Sequence, residues 1–172
     1  MGLREKINEE IKKAMQEKNE LLLLVLRGVN ATIHNREIEK RTKLSKTEKN
    51  IKKLEEQSKL NEEEELEAVA SEAKKRKEAI IEFSAYGGSA SGGEKEKIDN
   101  AINKEKLELE ILKKYLPEQM SEEEIREEVK KVIEEVGAVG PRDTGKVMAV
   151  VMPRLKGKAE GGAVSKILGE LL

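Results

Sequence analysis

Apolar residues recur along this chain at helical spacing. Leu3, Ile7, Ile11, Ala14 and Met15 follow one another at intervals of four and three, predicting a first helix with one inward face. Asn19 is placed to break that helix and cap a second. The run Leu21–Leu26 alone would also suit a buried strand, but Leu22, Leu26, Val29 and Ile33 carry the stripe past strand length. The expectation is a helix buried on more than one face, ending near Arg41. Ser45-Lys-Thr-Glu48 has capping-box spacing and predicts a short helix in an exposed extension, Lys43–Leu60, with only Ile51 and Leu54 to bury. Asn61 caps again, and Glu62–Glu65 suit the positive end of the helix that follows. Its stripe is Leu66, Val69, Ala73, Ile80 and Phe83. The glycine-rich Gly87–Gly93 is a flexible connection. Ile98, Ala101, Ile102, Leu109, Leu112 and Leu116 then carry a helix back until Pro117 stops it.

Beyond Pro117 the pattern changes register. Ser121-Glu-Glu-Glu124 is a second capping box, and Ile125, Val129, Val132, Ile133 and Val136 give the cleanest amphipathic stripe, closed by Gly137. Asp143 is a candidate N-cap for a helix carrying Val147, Val150, Val151 and Leu155, with Pro153 weakening its last turn. Gly157 ends that helix, and Val164, Ile167, Leu168 and Leu171 mark a last one. Two short helices cannot bury their stripes alone, so the last three helices form one module. The predicted class is all-α and multihelical: a long-helix N-terminal subdomain, residues 1–117, and a C-terminal three-helix module, residues 118–172.

Composition narrows this further. Charged residues make up 40% and aromatics 2% of 172 residues, which suits long amphipathic helices held by aliphatic stripes better than a thick core. There is no cysteine, so disulfides, thiolate chemistry and Cys-ligated metals are excluded, as suits a reducing cytoplasm. The apolar run Leu21–Leu26 falls far short of the roughly 20 residues needed to span a bilayer, so a soluble cytoplasmic protein without membrane contact is expected. No cofactor or metal is expected, because no zinc spacing or nucleophile elbow is present. The single histidine, His34, is expected to be a polar helix position rather than a general base.

Charge is unevenly placed. From Gly137 to Leu172, Arg142, Lys146, Arg154, Lys156, Lys158 and Lys166 face three anions, a surplus of three cations in a chain of net charge −1. A cationic module on an acidic stalk suits a polyanion, held through phosphate contacts and counterion release. Those six residues are the candidate nucleic-acid contacts. Lys74-Lys-Arg-Lys77 also resembles a nucleic-acid patch, but successive helical residues point in different directions, and a solvated face is the better expectation. Gly140-Pro-Arg-Asp-Thr-Gly-Lys-Val147 nearly spells a phosphate loop. Val147 stands where the magnesium-binding hydroxyl belongs, Pro141 removes an amide, and no strand precedes it, so nucleotide binding is set aside.

Two runs carry a resemblance: LELEILKKYLPEQMSEEEI and GKVMAVVMPRLKGKAEGGAV. With IKKAMQEKNELLLLVLRGVNATIHNREIEKR and EAKKRKEAIIEF before them, they resemble the GatB/YqeY family, small proteins similar to the tail of the B subunit of the tRNA-dependent amidotransferase. The resemblance implies two packed helical subdomains and an RNA-associated role, tRNA or another structured RNA being the partner, with an aminoacyl-tRNA-linked enzyme nearby. It also carries the amidotransferase or carbon–nitrogen ligase association. That chemistry belongs to the larger enzyme, since this chain has neither the cysteine nor the glycine–serine amidase signature needed to release ammonia from glutamine. The sequence departs from the family at Ala149, where glycine is usual, and at Gly162, where lysine is common, which removes one candidate phosphate contact. The segments around Lys43–Leu60 and Gly88–Asn100 are longer than usual. The alternative expectation is a protein-interaction adaptor acting through the long acidic helices.

Overall fold

The computed structural model describes residues 2–172 and, among them, contains helices and no strand. The elements are α1 (Leu3–Gln16), α2 (Glu20–Leu44), α3 (Ile51–Ser58), α4 (Glu62–Gly87), α5 (Gly93–Lys113), α6 (Glu122–Val136), a 3-10 turn (Pro141–Asp143), α7 (Thr144–Arg154) and α8 (Gly161–Leu171). They form two compact units, Met1–Tyr115 and Leu116–Leu172.

In the first unit the helix starts follow from short polar side chains. Asn19 Oδ1 accepts from the Leu22 amide and Asn61 Oδ1 from the Glu64 amide, while the Glu64 carboxylate returns a bond to the Asn61 amide. Each occupies an orphan donor of a first turn. The core is thin and aliphatic: Ile7 and Ala14 from α1, Val25, Leu26, Val29 and Ile33 from α2, Ala68, Val69 and Ala73 from α4, and Leu109 and Leu112 from α5. Met15, Ile51 and Phe83, expected on inward stripes, are exposed.

Two local expectations are corrected here. Ser45 does not start a helix. It is the C-terminal cap of α2, which runs on to Leu44, and α3 begins instead behind Asn50, whose Oδ1 accepts from the Lys53 amide at 3.3 Å. Glu48 closes no capping box either, and takes the Lys49 and Asn50 amides. Nor is Lys43–Leu60 a free extension. Leu54 is buried, Lys40 Nζ donates to the Lys59 carbonyl at 3.1 Å, and the Leu60 amide donates to Glu37 at 3.3 Å. The segment folds back along α2 as a helical hairpin.

Because apolar surface is scarce, charged groups complete the packing. Arg4 makes two hydrogen bonds to the Glu37 carboxylate, at 2.7 and 3.1 Å. Burial disfavours the ionised Glu37, but the bonds from Arg4 and the Leu60 amide outweigh it and hold the carboxyl below its ordinary range. At Glu65 the balance goes the other way: burial pushes its carboxyl up and Arg4 offsets this only in part. Tyr115 is buried, hydrogen-bonded to Glu10 and covered by Lys6, whose ammonium lies 5.5 Å from the ring centre; burial first, then Glu10, raises its phenol.

The densest charged cluster joins α4 to α5. Arg76 lies 2.9 Å from Glu108, 3.6 Å from Glu105 and 3.8 Å from Glu72. Glu108 is 2% exposed. Neither Arg76 Nε nor Glu105 Oε2 gains an aligned hydrogen bond, so the attraction there is charge on charge. Glu72 also accepts from Thr32 of α2 and from Lys75, each at 2.7 Å. These bonds overcome the effect of its burial and keep it ionised to lower pH than usual. Within the cationic run Lys74–Lys77, Lys74, Lys75 and Arg76 therefore face carboxylates of their own chain; Lys74 pairs with Glu78 at 3.7 Å.

Removing Arg76 would leave a buried carboxylate uncompensated. Arg76→Ala is expected to destabilise the first unit by about 3 kcal/mol, whereas Lys74→Ala, at an exposed pair, is expected to cost under about 0.5 kcal/mol. Both tyrosines, Tyr86 and Tyr115, lie in this unit, so tyrosine fluorescence in a urea titration reports it alone. Equal midpoints for the two variants would contradict the assignment.

Candidate nucleic-acid interface

The second unit is built around nine buried aliphatic residues: Ile125, Val129 and Val132 from α6, Val147, Val151 and Leu155 on or just after α7, and Val164, Ile167 and Leu168 from α8. The stripes read from the sequence supply all nine. Ser121 forms the expected reciprocal capping box with Glu124, and Gly137 closes α6 in the left-handed region at φ +64°. Asp143 departs from expectation. It precedes α7 but its side chain caps no amide of that helix, because the 3-10 turn directs the carboxylate back to the Val139 amide at 3.0 Å. The near-phosphate-loop sequence is thus a turn and the start of a helix. Thr144 Oγ1 within it donates to the Pro141 carbonyl at 2.8 Å.

The corner between α7 and α8 is where the two family-like runs meet. Gly157 has φ +75°, and a β-carbon there would stand 3.3 Å from the Pro117 ring. The Lys158 amide donates to the Leu155 carbonyl, and the Lys158 carbonyl accepts from the Met120 amide, both at 2.9 Å. The Gln119 side-chain amide donates to the Gly157 carbonyl at 2.6 Å and to the Pro117 carbonyl at 3.0 Å. Leu-Pro-Glu-Gln-Met and Lys-Gly-Lys-Ala, some forty residues apart, are therefore one structural unit. A strap over residues 117–120 fixes the backbone of the corner at 157–158.

The six candidate cations do not share one environment. Arg154 Nη2 donates to both oxygens of Glu135, at 2.9 and 2.8 Å, and its Nη1 lies 3.6 Å from Glu128. The bond to Glu135 holds the guanidinium still more firmly protonated. Lys146 Nζ donates to the Val136 carbonyl at 2.6 Å, the position where a cation complements the negative end of α6. Lys166, on α8, faces Glu170, whose carboxyl is lowered first by Arg126 and more weakly by Lys166. Arg142 is exposed on the 3-10 turn and, among the described residues, pairs with no carboxylate. Lys156 and Lys158 are exposed on the corner itself, with Lys158 on a shallow groove beside Glu118, Gln119, Met120 and Glu124. The corner thus gathers Lys156 and Lys158, while Arg154 and Lys146 are bound to α6.

Among the described residues no cluster of His, Cys, Asp or Glu is placed to hold a metal ion, and no helix is long and apolar enough to cross a membrane. His34 is an exposed position on α2.

The geometry defines a class: a helical protein whose C-terminal three-helix unit presents a glycine corner locked by a preceding Pro-x-Gln strap. The family model described as Yqey-like protein matches residues 46–172, and the chain belongs to that family. The match takes in α3 through α8 and leaves out the N-terminal segment, on which the sequence resemblance also drew. No curated protein matches the chain.

The corner can be tested by its stereochemistry. Gly157→Ala and Gly137→Ala both place a β-carbon in the left-handed region, a cost of about 1–2 kcal/mol, but only Gly157 also meets the Pro117 ring. Hydrogen exchange of α6–α8 peptides should show the larger loss of protection for Gly157→Ala. Equal losses would mean that the strap does not pack on the corner.

Proposed function

We propose that this chain is a non-catalytic RNA-binding module of the cytoplasm, that tRNA is the RNA it takes, and that it works alongside amidotransferase-type, tRNA-linked enzymes. The reading is supported by membership of the Yqey-like family and by the resemblance of the closing runs to the amidotransferase tail. One structural observation carries it: the strapped corner holds Lys156 and Lys158 on a rigid backbone with close-approach glycine between them. Arg142 adds an exposed cation at the start of the 3-10 turn. Arg154 and Lys146 stabilise α6–α7 packing first and contribute to the field second. The unit contains no aromatic side chain, so stacking on bases is not available and recognition follows RNA shape and phosphate position. No role in ligase chemistry is assigned to any residue.

The adaptor reading has one observation in its favour. Ile81 and Tyr86 near the α4–α5 turn are 67% and 64% exposed, an apolar tip in an otherwise charged helical hairpin.

A filter-binding titration of the full chain with tRNA at two salt concentrations separates these. Binding at low salt that weakens steeply with added salt is expected, and Lys156→Glu with Lys158→Glu should weaken it several-fold and lower the log–log slope by about one to two. Absence of binding at low salt, or a double variant that binds like the parent, overturns the reading. Co-purification of protein without RNA would favour the adaptor.

A further inference from the structure

The strongest concentration of positive charge is not in the C-terminal unit. From Lys40 to Lys59 the chain carries seven lysines and Arg41 against three anions, Glu48, Glu55 and Glu56, a surplus of five cations in a chain of net charge −1. Internal pairing accounts for part of it: Lys40 is held by Glu64 at 2.8 Å and Arg41 by Glu55 at 3.5 Å. The negative end of α2 accounts for Arg41 and Lys43 as last-turn cations. Neither explanation reaches Lys46, Lys52, Lys53 and Lys59, and Lys49 touches the end of α2 only through a 3.3 Å bond to the Ser45 carbonyl. All five are exposed, and among the described residues none forms an ion pair, though Lys53 acts on Glu48 at longer range. The contrast with α4 is direct, where Lys74, Lys75 and Arg76 each face a glutamate.

These lysines ride on a fixed scaffold. Leu54 is buried, and the far end of α3 is tied to α2 through Lys40 and Glu37. Lys52 lies in the first turn of α3 and Lys59 caps its C-terminal end. With Arg41 and His34 they line an open cleft of about 520 Å³ between α2 and α3, which Glu55 and Glu56 share. We propose that this elbow, the end of α2 with α3, is the principal phosphate-contacting surface for structured RNA, ahead of the C-terminal corner. The inference rests on the RNA-binding reading and assigns it a different surface. No aromatic residue lies between Lys40 and Lys59, so the contact is to sugar and phosphate and tolerates sequence. An anionic bilayer fits less well, because Leu54 is buried and the outer side of α3 offers Ile51 alone, too little apolar surface to insert.

The test is a salt-dependent titration of full-length protein with total tRNA, comparing the parent, the elbow variant Lys49→Glu/Lys52→Glu/Lys53→Glu, and the corner variant Lys156→Glu/Lys158→Glu. The elbow variant is expected to bind about tenfold or more weakly and to lower the log–log salt slope by about two to three, more than the corner variant does. The milder Lys→Gln triple should lose affinity in the same direction with unchanged helicity by circular dichroism. An elbow variant that binds like the parent, or loses less than the corner variant, overturns this proposal and leaves the RNA reading standing. A parent that binds no tRNA at low salt overturns both. A parent that prefers phosphatidylserine vesicles to tRNA, with the preference lost in the elbow variant, also overturns the proposal.

Discussion

Competition between a side chain's own neighbours and an outside partner governs this molecule. Charged residues are 40% of the chain and nearly balanced, so a cation can meet a carboxylate of the same chain before it meets anything else. Arg76 among Glu72, Glu105 and Glu108, Arg4 on Glu37, and Arg154 on Glu135 are all cations already engaged. A polyanion gains little from such groups, because it must first displace an anion held at short range. Positive charge outweighs negative locally at the α2–α3 elbow and, by a smaller margin, around the glycine corner.

The same scarcity shapes the fold. With almost no aromatic residue, the first unit relies on a thin line of aliphatic contacts and sets ion pairs around it. Partners hold the carboxyls of Glu37 and Glu72 below their ordinary range despite partial burial, while burial raises that of Glu65. The second unit has a more regular core, and its stability rests on backbone geometry as well: left-handed glycines at 137 and 157, and a Pro-x-Gln strap that fixes the corner.

Helical class and the stripes of α6, α7 and α8 were legible because nearly every apolar residue there has a neighbour to face. The caps at Asn19, Asn61 and Ser121 were legible for the same local reason: donor and acceptor lie within one turn. Ser45 was misleading because it has the same spacing while α2 continues past it, and nothing local distinguishes the end of one helix from the start of another. Asp143 was misleading because the 3-10 turn offered its carboxylate a nearer amide. The candidate cations were chosen by regional charge, which ignores pairing across helices; Arg154 and Lys146 look free in sequence and are bound to α6 in space. The elbow was visible as a surplus of lysine between Lys40 and Lys59, but reading that segment as an exposed extension concealed that α3 folds back and fixes it.

Amide hydrogen exchange of the full-length protein with and without tRNA tests the central claim most directly. Added protection in residues 43–59 and 156–160, with none in 74–77, is the predicted result. Protection centred on Lys74–Lys77, or unchanged exchange at both outward-facing surfaces under conditions where tRNA is bound, would contradict it.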